Sequence, residues 1–154
     1  MMDTIPGLTE FIVRAKAATY IGSGKESAAC RPGSHDLEFQ EGKFRYLDSY
    51  FGGADFLGEE VVYYDGRPVW AMNYYGRILD PGKITGEGTG QVLRNSLSRL
   101  YQQKRFLGGF EYKDGRDAYF DTNQGETGSF TGREWIERDG VCVYELVYHG
   151  GLIK

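Results

Sequence analysis

Residues 56–76, FLGEEVVYYDGRPVWAMNYYG, align without a gap to residues 130–150, FTGREWIERDGVCVYELVYHG, at an offset of 74. Eight positions are identical: Phe56/Phe130, Gly58/Gly132, Glu60/Glu134, Asp65/Asp139, Gly66/Gly140, Val69/Val143, Tyr74/Tyr148 and Gly76/Gly150. Upstream, LEFQEGKFRYLD (37–48) matches FEYKDGRDAYFD (110–121) at an offset of 73, with Glu38/Glu111, Gly42/Gly115, Tyr46/Tyr119 and Asp48/Asp121 identical. The matches run into strand interiors and keep their order, so they predict an internal repeat rather than two similar turns.

Each half carries two hairpin signals, Glu41-Gly42 and Asp65-Gly66, then Asp114-Gly115 and Asp139-Gly140. Acidic-Gly pairs supply the positive φ of tight hairpin turns, and β-branched and aromatic residues flank them. Four strands per half follow. Before the first set, Thr9 is placed to cap a helix with Leu8, Phe11, Ile12, Ala15 and Thr19 on one face, ending before Gly22-Ser23-Gly24. A second helix runs from about Thr89, with Val92, Leu93, Ser96, Leu97, Leu100 and Tyr101 on its stripe. The expected fold is α+β: internally duplicated α-β-β-β-β units, antiparallel sheets with two helices. It forms a single domain, 1–154, of two pseudo-repeats at about 8–80 and 88–152. One helix cradled by a four-stranded meander is similar in shape to the cystatin-like class.

Composition agrees. The chain has 154 residues, long enough for a core but short for two independent domains. Its 15% aromatic content, 23 Gly and only 4 Pro favour strands and tight turns. A net charge of -4 disfavours direct nucleic-acid binding. Two distant cysteines, Cys30 and Cys142, read as reduced thiols in a cytoplasm. The acidic start Met1-Met2-Asp3 and the absence of a long apolar run argue against secretion and membrane insertion.

The segments FIVRAKAATYIGSG (11–24), CRPGSHDLEF (30–39), KFRYLDSYFGG (43–53), FLGEEVVYYDGRPVWAMNYYGRILD (56–80) and VYHGG (147–151) resemble a bacterial family, the domain-of-unknown-function 5680 family. The likeness covers nearly the entire chain, and CRPGSHDLEF with VWAMNYYGR is its most distinctive part. That resemblance implies a domain often attached behind a helix-turn-helix of the xenobiotic-response-element regulator type. Here the sequence starts at the domain itself, so no DNA-binding role is expected of it. The family brings no catalytic residues to transfer.

Site candidates come from hairpin geometry. With Asp65-Gly66 as a two-residue loop and unbroken pairing, Val62 opposes Val69, Glu60 opposes Ala71, Gly58 opposes Asn73 and Phe56 opposes Tyr75. The opposite face then carries Leu57, Val61, Tyr63, Trp70, Met72 and Tyr74, with Trp135, Tyr144, Leu146 and Tyr148 in the second half, and is assigned to helix packing. On the first face Glu60 and Glu134 occupy equivalent sites beside Gly58 and Gly132, whose missing side chains leave room. A pocket at the pseudo-twofold is expected there, with the two glutamates as ligand contacts or as an acid-base pair, or else simply hydrogen-bonded to a Tyr or Arg or exposed. Glu145 shares that face.

Departures between the halves mark Asn73, Tyr75 and Arg77, which align with Val147, His149 and Gly151. The first half alone has Arg31-Pro32-Gly33-Ser34-His35-Asp36, placing Arg31, His35 and Asp36 on a bound anion or polar ligand, or Ser34 and Asp36 on local backbone groups. His35 and His149 are the only histidines and lie outside any metal-ligand spacing, so no metal and no cofactor are expected. Cys30 reads as inert, and Gly86-Glu87-Gly88-Thr89-Gly90 as a flexible connector. The expected ligand-binding set is Arg31, His35, Asp36, Glu60, Trp70, Asn73, Tyr75, Arg77, Glu134 and His149, with Tyr148 adding stacking area. It serves a non-enzymatic cytoplasmic sensor for a small polar or aromatic ligand. A protein-interaction domain with a protein partner, or a small enzyme using a carboxylate or His35 as base, are the alternatives.

Overall fold

The computed structural model describes residues 5–22 and 25–154. The acidic start and Ser23-Gly24 lie outside them. The chain is α+β, with helices α1 (Leu8–Lys16) and α2 (Gly86–Gln102) and nine strands. The strands are β1 (Lys25–Ser27), β2 (His35–Glu41), β3 (Phe44–Gly52), β4 (Phe56–Tyr64), β5 (Arg67–Ile78), β6 (Phe110–Asp114), β7 (Asp117–Glu126), β8 (Ser129–Arg138) and β9 (Val141–Leu152). A π-helical turn, Ala17–Ile21, extends α1. In place of separate sheets, the strands form one antiparallel sheet in the order β1-β2-β3-β4-β5-β9-β8-β7-β6. β5 and β9 make the seam, where Tyr74 pairs with Tyr148. Among the described residues no helix is long and apolar enough to cross a membrane.

The turns form largely as their chemistry requires. Asp65 (φ 51°) with Gly66 (φ 79°), and Asp139 (φ 51°) with Gly140 (φ 79°), take left-handed conformations at both loop positions, as a type I′ turn demands. In the other two hairpins the acidic residue closes the strand instead. Glu41 pairs with Phe44 and Asp114 with Asp117, leaving Gly42-Lys43 and Gly115-Arg116 as the loops.

The helices pack on one face of the sheet around Phe11, Ile12, Ala15, Val92 and Leu100. Phe11 stacks on Phe44 at 4.7 Å. Two helix boundaries differ from expectation. Gly7, at φ 83°, precedes α1, so Thr9 lies inside the helix, its hydroxyl hydrogen-bonded to that of Thr127. At α2 the helix begins at Gly86, because Thr85 accepts from the Gly88 N–H at 3.0 Å. The cap offsets the poor helix propensity of three glycines, so Gly86–Gly90 is the first turn of α2 rather than a connector.

The register departs from the simple hairpin. Val62 pairs with Trp70 but Tyr63 pairs with Pro68, leaving Val69 as an extra residue. The same bulge recurs at Val143, between the Ile136–Tyr144 and Glu137–Cys142 pairs. One inserted residue swaps every later side chain to the other face. Glu60 therefore pairs with Met72, and Gly58 with Tyr74. Glu60 shares the helix-covered face with Trp70, Met72 and Tyr74, whereas Leu57, Val61, Tyr63, Asn73, Tyr75 and Trp135 belong to the open face.

Candidate functional site

A cavity of about 390 Å³ lies between the helices and the sheet. Four carboxylates line it, Asp48, Glu60, Asp121 and Glu134, and each is at most 7% exposed. Two matched pairs hold two of them. From β5, Tyr74 donates to Asp48 Oδ1 at 2.6 Å; from β9, Tyr148 donates to Asp121 Oδ1 at 2.7 Å. Each ring crosses a neighbouring glycine to do so. A Cβ on Gly58 would stand 2.4 Å from the Tyr74 hydroxyl, and one on Gly132 would stand 2.1 Å from the Tyr148 ring. The room expected beside those glycines is therefore filled by tyrosine.

The glutamates are held in parallel. Tyr46 donates to Glu60 and Tyr119 to Glu134. The halves then diverge. Glu60 forms an ion pair with Lys16 Nζ at 2.8 Å and accepts from Tyr20 at 3.2 Å. Lys16 and Tyr20 reach it from the end of α1 and its π-helical turn, a feature that often marks functional positions. Glu134 instead accepts from Tyr144 at 3.3 Å. Lys16 is 4% exposed, and its ammonium also sits 5.3 Å from the Phe106 ring centroid.

Burial governs the protonation of these acids. Burial, then the adjacent Glu60 charge, pushes the Asp48 carboxyl up to about 8, against the Tyr74 hydrogen bond, Lys16 and Tyr20. Glu134 is raised to about 7 by burial and by Asp121, opposed by Tyr119, Tyr144 and Lys16. Asp121 is raised by burial to about 6, opposed by Tyr148, Lys16 and Arg105. Asp48 Oδ2 is buried with no hydrogen-bond partner among the described residues. The other such side-chain atoms among the described residues, on Ser27 and Ser96, lie away from the cavity lining.

The residues marked from sequence divide between two faces. Glu60 and Glu134 line the cavity. Trp70 is fully buried beside it, stacked on Phe130 at 5.9 Å with Nε1 donating to the Thr127 carbonyl at 3.0 Å. Its role in the packing is that of a core side chain. His35 is exposed, 5.1 Å from the Tyr50 ring at the sheet margin. Asp36 points to the opposite face, accepting from Ser34 (2.7 Å), Ser49 (2.9 Å) and the Cys30 N–H (3.3 Å). These local bonds match the turn reading, and His35 and Asp36 do not converge. Arg31, Asn73, Tyr75 and His149 line a second hollow, of about 890 Å³, on the open face, beside exposed Leu57 and Val147. Arg77 pairs there with Glu145 at 3.0 Å, which Arg133 also binds.

Sequence reading passed over Tyr46, Asp48, Tyr119 and Asp121 as site candidates, although each is an identity between the repeats. Tyr74 and Tyr148 were placed on the helix side and occupy it. Lys16 also follows the α1 stripe, four residues after Ile12, where its charge masks its inward position.

A helix-roofed antiparallel sheet defines an α+β protein, and the ionisable groups buried in its cavity make that cavity the candidate site. Residues 48–153 match the family model described as Domain of unknown function (DUF5680), and the chain belongs to that family. The matched region begins within β3, after α1, β1 and β2. No curated protein matches the chain.

Proposed function

We propose that this chain is a non-enzymatic module that binds one small ligand in the helix–sheet cavity. The observation that carries the reading is Asp48, a buried cavity-lining acid whose second oxygen has no hydrogen-bond partner among the described residues. A buried acceptor without a partner is costly to keep, so its presence in a cavity of ligand size points to a donor supplied from outside. In this reading the two halves are copies of one α-β-β-β-β unit, cystatin-like in shape. Recurrence of the Tyr–Asp pair, the Tyr–Glu pair and the bulge across the seam supports duplication. A cytoplasmic bacterial sensor, working with a regulator, accords with the family resemblance.

A thermal-shift screen against a metabolite library tests the reading, repeated on Leu97→Trp, which puts a larger side chain in the cavity wall. Stabilisation of the wild type that disappears in the variant is the expected result. No stabilising compound, or stabilisation equal in both proteins, overturns it.

The open face favours a second reading, a surface for a protein partner, because Leu57 and Val147 are 54% and 49% exposed beside Tyr75. Stoichiometric capture of a partner that Tyr75→Ala abolishes and Leu97→Trp leaves intact distinguishes it.

A further inference from the structure

We propose that the cavity takes an organic cation, an ammonium or guanidinium head on an apolar stem, with the head seated on Asp48. The inference rests on the ligand-binding reading above and names the chemistry of its ligand.

The argument is a count of donors and acceptors. Six tyrosine hydroxyls reach the four carboxylates, and all six already donate: Tyr20 and Tyr46 to Glu60, Tyr74 to Asp48, Tyr119 and Tyr144 to Glu134, and Tyr148 to Asp121. The buried cation, Lys16, is engaged by Glu60 and the Met72 sulfur. These seven groups are thus engaged elsewhere or on Asp48 Oδ1, while Asp48 Oδ2 is unmet among the described residues. A ligand seated on the ionised form of Asp48 must bring the protons, and carboxylates pair best with charged donors. An anionic ligand would meet four acids against two cations in the lining, Lys16 already paired with Glu60 and Arg94 at an exposed position on α2. Among the described residues no group of three or more acids, histidines or cysteines is disposed to hold a metal ion, which directs the site to a polyatomic cation. Leu37, Phe56, Leu93, Leu97 and Leu146 supply the apolar walls for its stem.

The groups facing Asp48 are Lys16 and Tyr20 from α1 and its extension, Tyr46 and Tyr50 from β3, Glu60 from β4 and Tyr74 from β5. Tyr101 from α2 and Tyr119, Asp121, Glu134 and Tyr148 from the second half complete the ionisable lining, with Arg94 at an exposed position on α2. In the empty cavity protons occupy the raised acids; a cation displaces them. Binding is therefore expected to release protons and to tighten with pH.

The test uses ligand-observed NMR with the full chain and a fragment panel in which each apolar scaffold carries an ammonium, a hydroxyl or a carboxylate head. Phenethylamine, 2-phenylethanol and phenylacetate form one such triad. Hits confined to ammonium members, lost in Asp48→Asn and in Leu97→Trp, are the expected result. For phenethylamine, which stays charged throughout, affinity should rise between pH 5.5 and pH 8, by up to about tenfold per pH unit where one proton leaves. This profile decides the matter if Asp48→Asn does not fold; a flat profile overturns the proposal. Binding by hydroxyl or carboxylate members that Leu97→Trp abolishes overturns the cationic class and leaves the cavity reading standing. No binding by any member, or binding that survives Leu97→Trp, removes both.

Discussion

Tyr74 and Tyr148 stand directly opposite each other across the β5–β9 seam, and each turns away from it to donate to an aspartate, Asp48 or Asp121, two strands from its own. The interval is spanned by one ring lying over one glycine. Backbone register thereby fixes where two buried acids receive their hydrogen bonds.

Replacing either glycine should break that arrangement. Gly58→Ala and Gly132→Ala each place a methyl inside the tyrosine ring's volume, and overpacking of this kind costs about 1–3 kcal/mol. Chemical denaturation should show losses in that range for both. An unchanged midpoint would mean that the ring moves freely aside.

Stability should decline from mildly acid to mildly alkaline pH. Asp48, Glu134 and Asp121 are raised to about 8, 7 and 6 from ordinary values of 3.8, 4.5 and 3.8. The folded state therefore binds more protons than the unfolded chain between about pH 4 and 8, and unfolding free energy falls as pH rises through that window. Asp36 and Glu145 act in the opposite sense. Burial raises Asp36, but hydrogen bonds from Ser34, Cys30 and Ser49 outweigh it; Arg77 and Arg133 hold Glu145 low. Their contribution is present above the ordinary carboxylate range and disappears in stronger acid. A melting profile should peak near pH 4–5, and a monotonic rise toward pH 8 would contradict it.

Asp48→Asn should stabilise the fold only at alkaline pH. At pH 8.5 it removes a desolvated charge while retaining an acceptor for Tyr74, so it stabilises the fold; at pH 4.5, where the wild-type acid is already neutral, the gain vanishes. Melting temperatures at the two pH values check this, and a uniform destabilisation at both would refute it.

Removing Lys16 should expose the cost of its partner. Lys16→Met leaves Glu60 buried without its cation, which costs about 3–5 kcal/mol in comparable buried pairs. Adding Glu60→Gln should restore most of the loss. Additive losses in the double variant would show that the pair is not coupled.

Open-face substitutions should be quiet in the same assays. Asn73→Ala and His149→Ala fall on exposed positions, where changes lie within about 0.5 kcal/mol. Ligand binding lost in either variant would transfer the site to that face.

Turn chemistry and the helix stripes made both helices, the eight longer strands and the hairpins legible from sequence, because Asp-Gly pairs and 3.6-residue periodicity are local signals. Face assignment in β5 was not legible. Val69 fits an alternating strand as well as Trp70 does, so nothing local announces that it is the inserted residue, and one slip transferred Asn73 and Tyr75 to the wrong company. The cavity was legible in another form. Tyr46/Tyr119, Asp48/Asp121, Glu60/Glu134 and Tyr74/Tyr148 are all identities between the halves, whereas the differences stressed from sequence, such as Tyr75/His149, lie mainly on the outer surface.

The unbroken ladder across β5 and β9 makes the cavity floor stiff, since parting the halves there means severing main-chain hydrogen bonds along the whole seam. Entry must come from the helix side, where Leu93, Leu97 and Leu100 of α2 line the cavity. Amide exchange should report this as slow seam protons, and a visitor should come and go without disturbing them.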